Sequence, residues 1–239
     1  MPRQPESRGT CAYYGEVITK RSVTKHLDKC LAVVCDRQRL EAFQSAATSS
    51  RPVETLWHLR VQDAYDKDYW LNLEMVGLAS LDKLDQNLRA IWLECCGHLS
   101  MFTIGGWQGD EITKSRKADA IFEPGLVLRH QYDFGTTSET DIKAVDARQG
   151  KPITKHPIAL LARNIMPEAV CQECGQPAKW LCIECLYEED KDRTSFGSGH
   201  LCDEHVEGHP HDNYGEPMPL FNSPRSGVCG YDGPAEPPY

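Results

Sequence analysis

Cysteine and histidine residues between positions 171 and 211 have the spacing of metal ligands. Two Cys-x2-Cys pairs and one Cys-x2-His pair follow one another, and two more histidines come after them. These eight residues are Cys171, Cys174, Cys182, Cys185, Cys202, His205, His209 and His211. A spacing of two residues lets one tight turn direct both sulfurs at the same ion, and Gly175 suits the left-handed backbone of such a turn. Because a tetrahedral zinc ion takes four protein ligands, the segment predicts two zinc ions.

Disulfides are the main alternative for these cysteines. They belong to oxidising compartments, and the N-terminus lacks the apolar stretch of a secretion signal. A segment of about forty residues is near the size below which metals or disulfides usually replace a hydrophobic core. We favour zinc because of the number and spacing of the ligands. The pairing of ligands stays open. Resemblance to B-box and RING-like modules implies that the first and third pairs share one ion, while the second pair joins His209 and His211. His200 competes for any histidine position.

The N-terminal region resembles a Cys-Cys-His-Cys zinc finger that lacks one ligand. Cys11, His26 and Cys30 occupy three ligand positions, and Tyr14 stands at the fourth. A helix would bring His26 and Cys30 onto one face, because they are four residues apart. A tyrosine phenol is not a usual zinc ligand. We therefore favour an N-terminal region (residues 1–50, called the head) that is held together by packing alone. Cys35 is an alternative fourth ligand, which would have to fold back from beyond the helix.

Charge is distributed unevenly along the chain. Residues 1–51 contain nine Lys/Arg and five Asp/Glu, a net charge of +4, whereas the whole chain carries −9. An acidic body argues against broad, non-specific binding of nucleic acid. The head could still contact phosphate or an acidic partner through its basic residues, which are Lys20, Arg21, Lys25 and Lys29.

The middle of the chain predicts an α+β domain. Apolar patterns indicate strands at 56–61, 69–75, 98–104, 126–132 and 140–147. One main amphipathic helix is expected after Ser80, a good N-cap, with apolar residues at three- and four-residue steps as far as Cys95. This order favours a mostly antiparallel sheet. Cys95 and Cys96 are expected to pack as small apolar groups. Cys229 is a lone thiol that packs or acts as a stray ligand.

A family resemblance covers roughly residues 54–150. Tyr132-Asp-Phe-Gly135 precedes Asp141-Ile142, and His98-Leu99 and Phe102-Thr-Ile-Gly-Gly106 lie upstream. Together these residues resemble the plasmid pRiA4b ORF-3-like family, found in plasmid and transposon-passenger proteins of bacteria and archaea. Many members follow the Tyr-Asp-Phe-Gly element with Asp-x-Trp-Glu-His, where this chain has Thr136-Thr-Ser-Glu139. The resemblance implies an α+β fold and supplies no established reaction.

Acidic residues near this element offer an enzymatic alternative. Asp133, Glu139 and Asp141 could hold a hard divalent cation in a hydrolase or nuclease. We prefer a turn-capping role for Asp133, and a solvated strand face for Glu139 and Asp141. No residue is assigned a catalytic role.

These patterns predict four regions with distinct properties. They are a finger-like helical head (1–50), an α+β domain (51–165), a zinc-binding module (166–214) and a Pro-rich tail (215–239). No apolar run is long enough to span a membrane, and we expect a cytoplasmic location. The leading hypothesis is a non-catalytic, zinc-stabilised adaptor with an unknown protein partner. A nucleic-acid-binding regulator that acts through the head and a divalent-metal hydrolase are the alternatives.

Overall fold

One nine-stranded sheet forms the body of the protein. The computed structural model describes residues 6–44, 52–187, 199–211 and 213–237, with side chains up to residue 34 in the first range. The strands are β1 (Arg8–Cys11), β2 (Val17–Thr19), β3 (Glu54–Asp63), β4 (Trp70–Val76), β5 (Ser100–Ile104), β6 (Asp110–Ile112), β7 (Val127–Tyr132), β8 (Ser138–Gly150) and β9 (Ile158–Asn164). Their order is β2-β1-β9-β4-β3-β8-β7-β5-β6, and all neighbours run antiparallel. The predicted mixed α+β class with a mostly antiparallel sheet is confirmed.

The main hydrophobic core lies between the sheet and helix α2 (Leu81–Leu88). Leu81, Leu84 and Leu88 are fully buried, as their three- and four-residue spacing predicts. The helix is shorter than the sequence indicated, because Arg89–Leu93 continue as a π-helical turn. Cys95 therefore lies beyond the helix, in the loop before β5. The expected single main amphipathic helix is not confirmed, since the longest helix lies in the head.

That longest helix, α1 (Val23–Gln44), packs on the opposite face of the sheet. Trp70 and Leu71 show the two faces, because adjacent residues of a strand point in opposite directions. Leu71 belongs to the main core, while Trp70 packs with Val23 and Leu27 of α1. Strand β1 pairs with β9. The head therefore adds two strands to the sheet of the middle domain, and its helix packs on one face of that sheet.

The C-terminal module is built around a small three-stranded sheet. Its strands are β10 (Trp180–Leu181), β11 (His200–Leu201) and β12 (Met218–Pro219), with β10 in the centre. The module also has two short helices, α3 (Ile183–Tyr187) and α4 (Asp203–Val206). Helix α3 begins directly after Cys182 and α4 directly after Cys202, and both cysteines are predicted ligands. Within the part of the module that the structure describes, Cys182, Cys185 and Leu201 form the core cluster, with partly buried neighbours.

The tail joins this module to the body. Strand β12 pairs with β10 of the module, and the residues that follow turn back to the large sheet. The Asn222 side chain accepts from Asn164 Nδ2 and donates to the Asn164 backbone carbonyl, at the end of β9. Ser223 donates to the Trp92 carbonyl at 2.6 Å. No helix within the described ranges has both the length and the apolar composition needed to cross a lipid bilayer.

Candidate metal centres

The first predicted ligand pair meets the third in the structure. The ligand atoms of Cys171, Cys174, Cys202 and His205 all lie within 4.8 Å of one another. Cys174 Sγ is 3.8 Å from Cys202 Sγ, and Cys202 Sγ is 3.2 Å from His205 Nδ1. A tetrahedral zinc ion with metal–sulfur distances of about 2.3 Å has sulfur–sulfur edges of about 3.8 Å. The residues therefore fit a four-ligand metal site.

The second pair meets the two terminal histidines. Cys182, Cys185, His209 and His211 also have all their ligand atoms within 4.8 Å. Cys185 Sγ lies 3.4 Å from His209 Nε2 and 3.1 Å from His211 Nδ1. The two clusters thus alternate along the chain, which is the interleaved pairing implied by B-box and RING-like modules. Both clusters could hold a metal ion.

Local backbone geometry positions these ligands. Cys171 N donates to Gln176 O at 2.7 Å, and Gly175 N donates to Cys171 O at 2.8 Å. Gly175 has φ of 70°, the left-handed conformation predicted for this turn. Cys202 is the N-cap of α4, and His205 N donates to Cys202 O at 3.2 Å. One turn of helix therefore places His205 beside Cys202.

Backbone N–H groups also favour the thiolate form in the first cluster. Burial by itself raises the pKa of Cys171, but hydrogen bonds from the backbone, first that of Cys202, outweigh burial and lower it. The pKa of Cys202 is lowered in the same way, by the backbone of His205 and Glu204 against the effect of burial. A hydrogen bond from the Gln176 backbone lowers the pKa of Cys174, but burial and the Cys171 and Cys202 thiols outweigh it and raise that pKa. The thiolate, which is the form that binds metal, is therefore favoured at two of the three cysteines.

His200, the competing histidine, lies in β11 opposite Leu181. Among the described residues, it belongs to none of the groups that could hold a metal ion. Its pKa is lowered by burial. It serves as a strand residue of the small sheet rather than as a ligand.

The head brings its three predicted ligands together. Cys11, His26 and Cys30 have ligand atoms within 4.8 Å, and the two sulfurs are 3.6 Å apart. His26 Nε2 is buried without a hydrogen-bond partner, while Nδ1 lies 3.6 Å from Glu16 Oε2. Burial, and then the adjacent Cys11 thiol, raise the pKa of Cys30 to about 12. Three ligands are present, but the Cys30 thiol is protonated at neutral pH unless a cation binds.

Tyr14 stands at the fourth ligand position and is 46% exposed. It lines a cleft with Glu16, His26 and Cys30. The side chain of Cys35, the alternative fourth ligand, lies outside the described part of the chain. The Glu16 carboxylate lies beside His26 and could serve as an oxygen ligand in the fourth position.

The four basic residues of the head differ in their surroundings. Lys25 and Lys29 are exposed one turn apart on α1. Arg21 is exposed and lies 3.6 Å from the Glu6 carboxylate. Lys20 is partly buried and donates to the Lys67 carbonyl. Lys25 and Lys29 are therefore the best placed to meet an external anion.

A fourth cluster lies outside every ligand set predicted from the sequence. Cys95, Cys96, His98 and Cys229 have ligand atoms within 4.8 Å of one another. The expectation that Cys95 and Cys96 pack as apolar groups is wrong for Cys96, which is exposed. Cys96-x-His98 was a visible local signal, but 131 residues separate His98 from Cys229. Only the fold brings the tail to this loop.

The three acidic residues of the enzymatic alternative already form ion pairs with arginine side chains. Asp133 accepts from Arg225 at 2.6 Å, and Arg129 binds both Glu139 and Asp141. Within the described ranges these carboxylates do not form a metal-binding group. Glu139 is buried, so its assignment to a solvated face is wrong.

Asp133 does cap the turn between β7 and β8, as predicted. Its carboxylate accepts from Gly135 N at 2.9 Å and from the Thr136 hydroxyl at 2.7 Å. These bonds, together with that from Arg225, lower its pKa although burial opposes the shift. Its backbone is left-handed, with φ of 65°. Asp133 is therefore a structural anion in a strained turn.

No protein-family model matches the sequence, and no curated protein matches it. Among solved structures, the chain is similar to the crystal structure of MM3350, a protein of unknown function from Methanosarcina mazei Go1. The similarity has a TM-score of 0.40 at 15% sequence identity, and covers 52% of this chain and 76% of that chain. This similarity assigns no function, and the resemblance to the pRiA4b ORF-3-like family stays a prediction.

Proposed function

We propose that this protein is a zinc-binding, non-catalytic interaction protein of the kind that mobile genetic elements carry. Two interleaved four-ligand clusters in residues 171–211 carry the proposal. Their mixed thiolate and imidazole donors are those that zinc prefers. Two ions, one in each cluster, would supply folding energy that the small core of the module lacks.

The ligand count supports a structural rather than a catalytic role for these ions. A catalytic zinc keeps one coordination position open for water or substrate, whereas a structural zinc is closed by four protein ligands. Each cluster of the module offers four protein ligands. The paired state of Asp133, Glu139 and Asp141 gives no support to a hydrolase.

Exposed aromatic side chains support a role for the module in binding another protein. Tyr187 and Tyr214 expose 53% and 69% of their surfaces, and aromatic side chains are enriched where proteins meet. The Tyr132-Asp-Phe-Gly135 resemblance supports the mobile-element context, and free thiols fit a reducing cytoplasm. The partner is proposed to be a protein that contacts the folded module.

The test combines metal content with partner capture. Purified, reduced full-length protein should contain at least two zinc ions per chain, two of them in residues 171–211, and Cys182→Ser should lower that number. Wild type and Cys182→Ser then serve as matched baits in an extract of the natural host. We expect one or more proteins to be retained by wild type alone. A metal-free wild-type protein, or identical retention by both baits, would overturn the proposal.

Nucleic-acid binding through the head is a second candidate function. Lys25 and Lys29 are exposed one turn apart on α1, although the chain as a whole is acidic. Deletion of the head is a poor test, because β1 pairs with β9 and α1 covers Trp70. Charge reversal leaves this packing intact.

The experiment therefore compares Lys25→Glu/Lys29→Glu with a charge-matched control, Lys83→Glu/Lys117→Glu, on exposed positions of the body. Binding of DNA and RNA probes is measured over a salt series. Phosphate contacts release counterions, so loss of two contacts should lower the salt slope by about 1–2. Equal effects of the two double variants would reject the head as a nucleic-acid contact.

A further inference from the structure

The loop before β5 and the tail together present three thiols and one imidazole. Cys96 Sγ lies 3.8 Å from Cys95 Sγ and 3.8 Å from Cys229 Sγ. His98 Nε2 lies 2.9 Å from Cys96 Sγ and 3.2 Å from Cys229 Sγ. The sulfur separations equal the edge of about 3.8 Å expected around a zinc ion. We propose that Cys95, Cys96, His98 and Cys229 form a further zinc site, independent of the C-terminal module.

Hydrogen bonds around the Tyr132 hydroxyl and the Glu94 carboxylate hold the loop that carries three of these ligands. Glu94 Oε1 accepts from Gly97 N at 2.6 Å and from the Tyr132 hydroxyl at 3.1 Å. The Tyr132 oxygen in turn accepts from Cys95 N at 3.4 Å and His98 N at 3.3 Å. The loop thus wraps around a fully buried side chain, which fixes the ligands on one side of the site.

The tail brings the fourth ligand to a fixed position. Arg225 is fully buried and donates to the Thr136 carbonyl at 3.0 Å and to Asp133 Oδ2 at 2.6 Å. Cys229 follows with φ of 50°. A left-handed backbone costs a residue other than glycine about 1–2 kcal/mol, so the surrounding structure must enforce it. Such strain is common where a side chain is held for function.

Charge around the cluster suits an anionic zinc–thiolate complex. Three thiolates and a neutral imidazole around Zn²⁺ carry a net charge of about −1. Arg225 Nη2 lies 3.4 Å from Cys95 Sγ, so a buried guanidinium faces that charge. Asp133 Oδ2 borders the site at 3.5 Å from His98 Nε2, but the same guanidinium neutralises it. The cluster therefore offers a closed Cys3His set.

The position of the site gives the ion a specific role. Tail residues just before Cys229 pack against the module, since Gly227 lies against Leu181 and Leu186. An ion bound by Cys229 and the loop before β5 would cross-link the tail to the large sheet. The third ion would thereby fix the module to the body, in addition to the hydrogen bonds of Ser223 and Arg225.

Zinc content and native mass of the reduced full chain test this proposal. We expect about three zinc ions per wild-type chain, one more than the module can hold. Cys229→Ser and Cys96→Ser should each contain one ion fewer than wild type. Cys229→His is the matched control, because imidazole replaces thiolate as a ligand and histidine tolerates the left-handed backbone. It should keep the ion.

Alkylation of wild type provides a test that needs no variant. Cys96 and Cys229 are exposed, so they should react with iodoacetamide quickly unless an ion protects them. We expect slow labelling that becomes at least tenfold faster after chelation. Equal labelling with and without chelator, or a Cys96–Cys229 disulfide in protein purified without oxidant, would overturn the proposal. Loss of zinc in Cys182→Ser but not in Cys229→Ser would reject this site and leave the module proposal standing.

Discussion

Two turns at opposite ends of the chain share one backbone design but differ in one ligand. In the module, Cys171 N donates to Gln176 O and Gly175 N donates to Cys171 O. In the head, Cys11 N donates to Glu16 O at 3.0 Å and Gly15 N donates to Cys11 O at 2.9 Å. The glycines have φ of 70° and 65°. The second ligand position holds Cys174 in one turn and Tyr14 in the other.

The surroundings explain how the incomplete turn keeps its shape. In the head, Cys11 packs with Ile18, Val23, Leu27 and Trp70 in a core of its own. Among the described residues, the core cluster of the module has three buried members, two of which are predicted ligands. A turn with apolar support can fold without metal, whereas a turn in a module with so small a core depends on it.

The electrostatic surroundings of one cysteine at each turn also differ. Backbone N–H groups lower the pKa of Cys171 against the effect of burial. Burial and the adjacent Cys11 raise the pKa of Cys30. Backbone hydrogen bonds thus favour the thiolate of Cys171 in the module turn, whereas Cys30 of α1, beside the head turn, is favoured as a thiol. A shared backbone is therefore no evidence of a shared metal.

Loss of the first cysteine should affect the two turns very differently. Structural zinc contributes apparent binding energies of about 10–16 kcal/mol in small modules, so Cys171→Ser should release at least one ion and make residues 171–187 protease-sensitive. Cys11→Ser should leave zinc content unchanged and cost about 1–3 kcal/mol, because it places a hydroxyl in an apolar site. Zinc content, limited proteolysis and denaturant unfolding measure these effects. Similar zinc loss in both variants would show that the head turn also holds an ion.

Restoring the fourth ligand should convert the head into a metal site. Tyr14 is half-exposed, so Tyr14→Cys removes little packing. The variant should bind one zinc ion more than wild type, and stabilisation should reach about 4 kcal/mol when free zinc is a thousand times Kd. Uptake should strengthen as pH rises, because the thiols must lose protons. Full-length protein is required, since β1 depends on β9.

Two further variants control this experiment. Tyr14→Cys/His26→Ala should return zinc content to the wild-type value, because one of the four ligands is lost again. Wild type and Glu16→Gln should contain equal amounts of zinc. If Glu16→Gln contains one ion fewer than wild type, the head already binds metal with the Glu16 carboxylate as its fourth ligand.

Local patterns in the sequence predicted much of the fold. Alternation located β3, β4, β5, β7 and β8, and the Leu81–Leu84–Leu88 spacing located α2. The π-helical turn at Arg89–Leu93 was not predicted, because it keeps the apolar side of the chain buried while it changes the backbone period. The pairing of β1 with β9 was also missed, since strand partners far apart in sequence leave no local signal.

The candidate sites divide along the same line. All eight predicted ligands of the module lie within 41 consecutive residues and repeat a two-residue spacing. They could therefore be predicted from the sequence pattern alone. The Cys95, Cys96, His98 and Cys229 cluster depends on Arg225 anchoring the tail against Asp133. Arg225 is fully buried, which composition gives no reason to expect of an arginine.

The smallest effect expected concerns the glycine that both turns share. An added Cβ at Gly15 or Gly175 would meet no atom within 4 Å, so alanine introduces only the strain of a left-handed backbone. That strain is about 1–2 kcal/mol.

In Gly175→Ala this strain should weaken zinc affinity about five- to thirtyfold, because the metal-bound state requires the turn. In Gly15→Ala it should lower the free energy of unfolding by about 1–2 kcal/mol and leave zinc content unchanged. Asparagine tolerates this conformation, so Gly15→Asn and Gly175→Asn should show smaller effects. Competition with a chromophoric chelator and denaturant titration give the two quantities. A change of zinc content in Gly15→Ala would show that the head turn, like its counterpart in the module, is used to hold an ion.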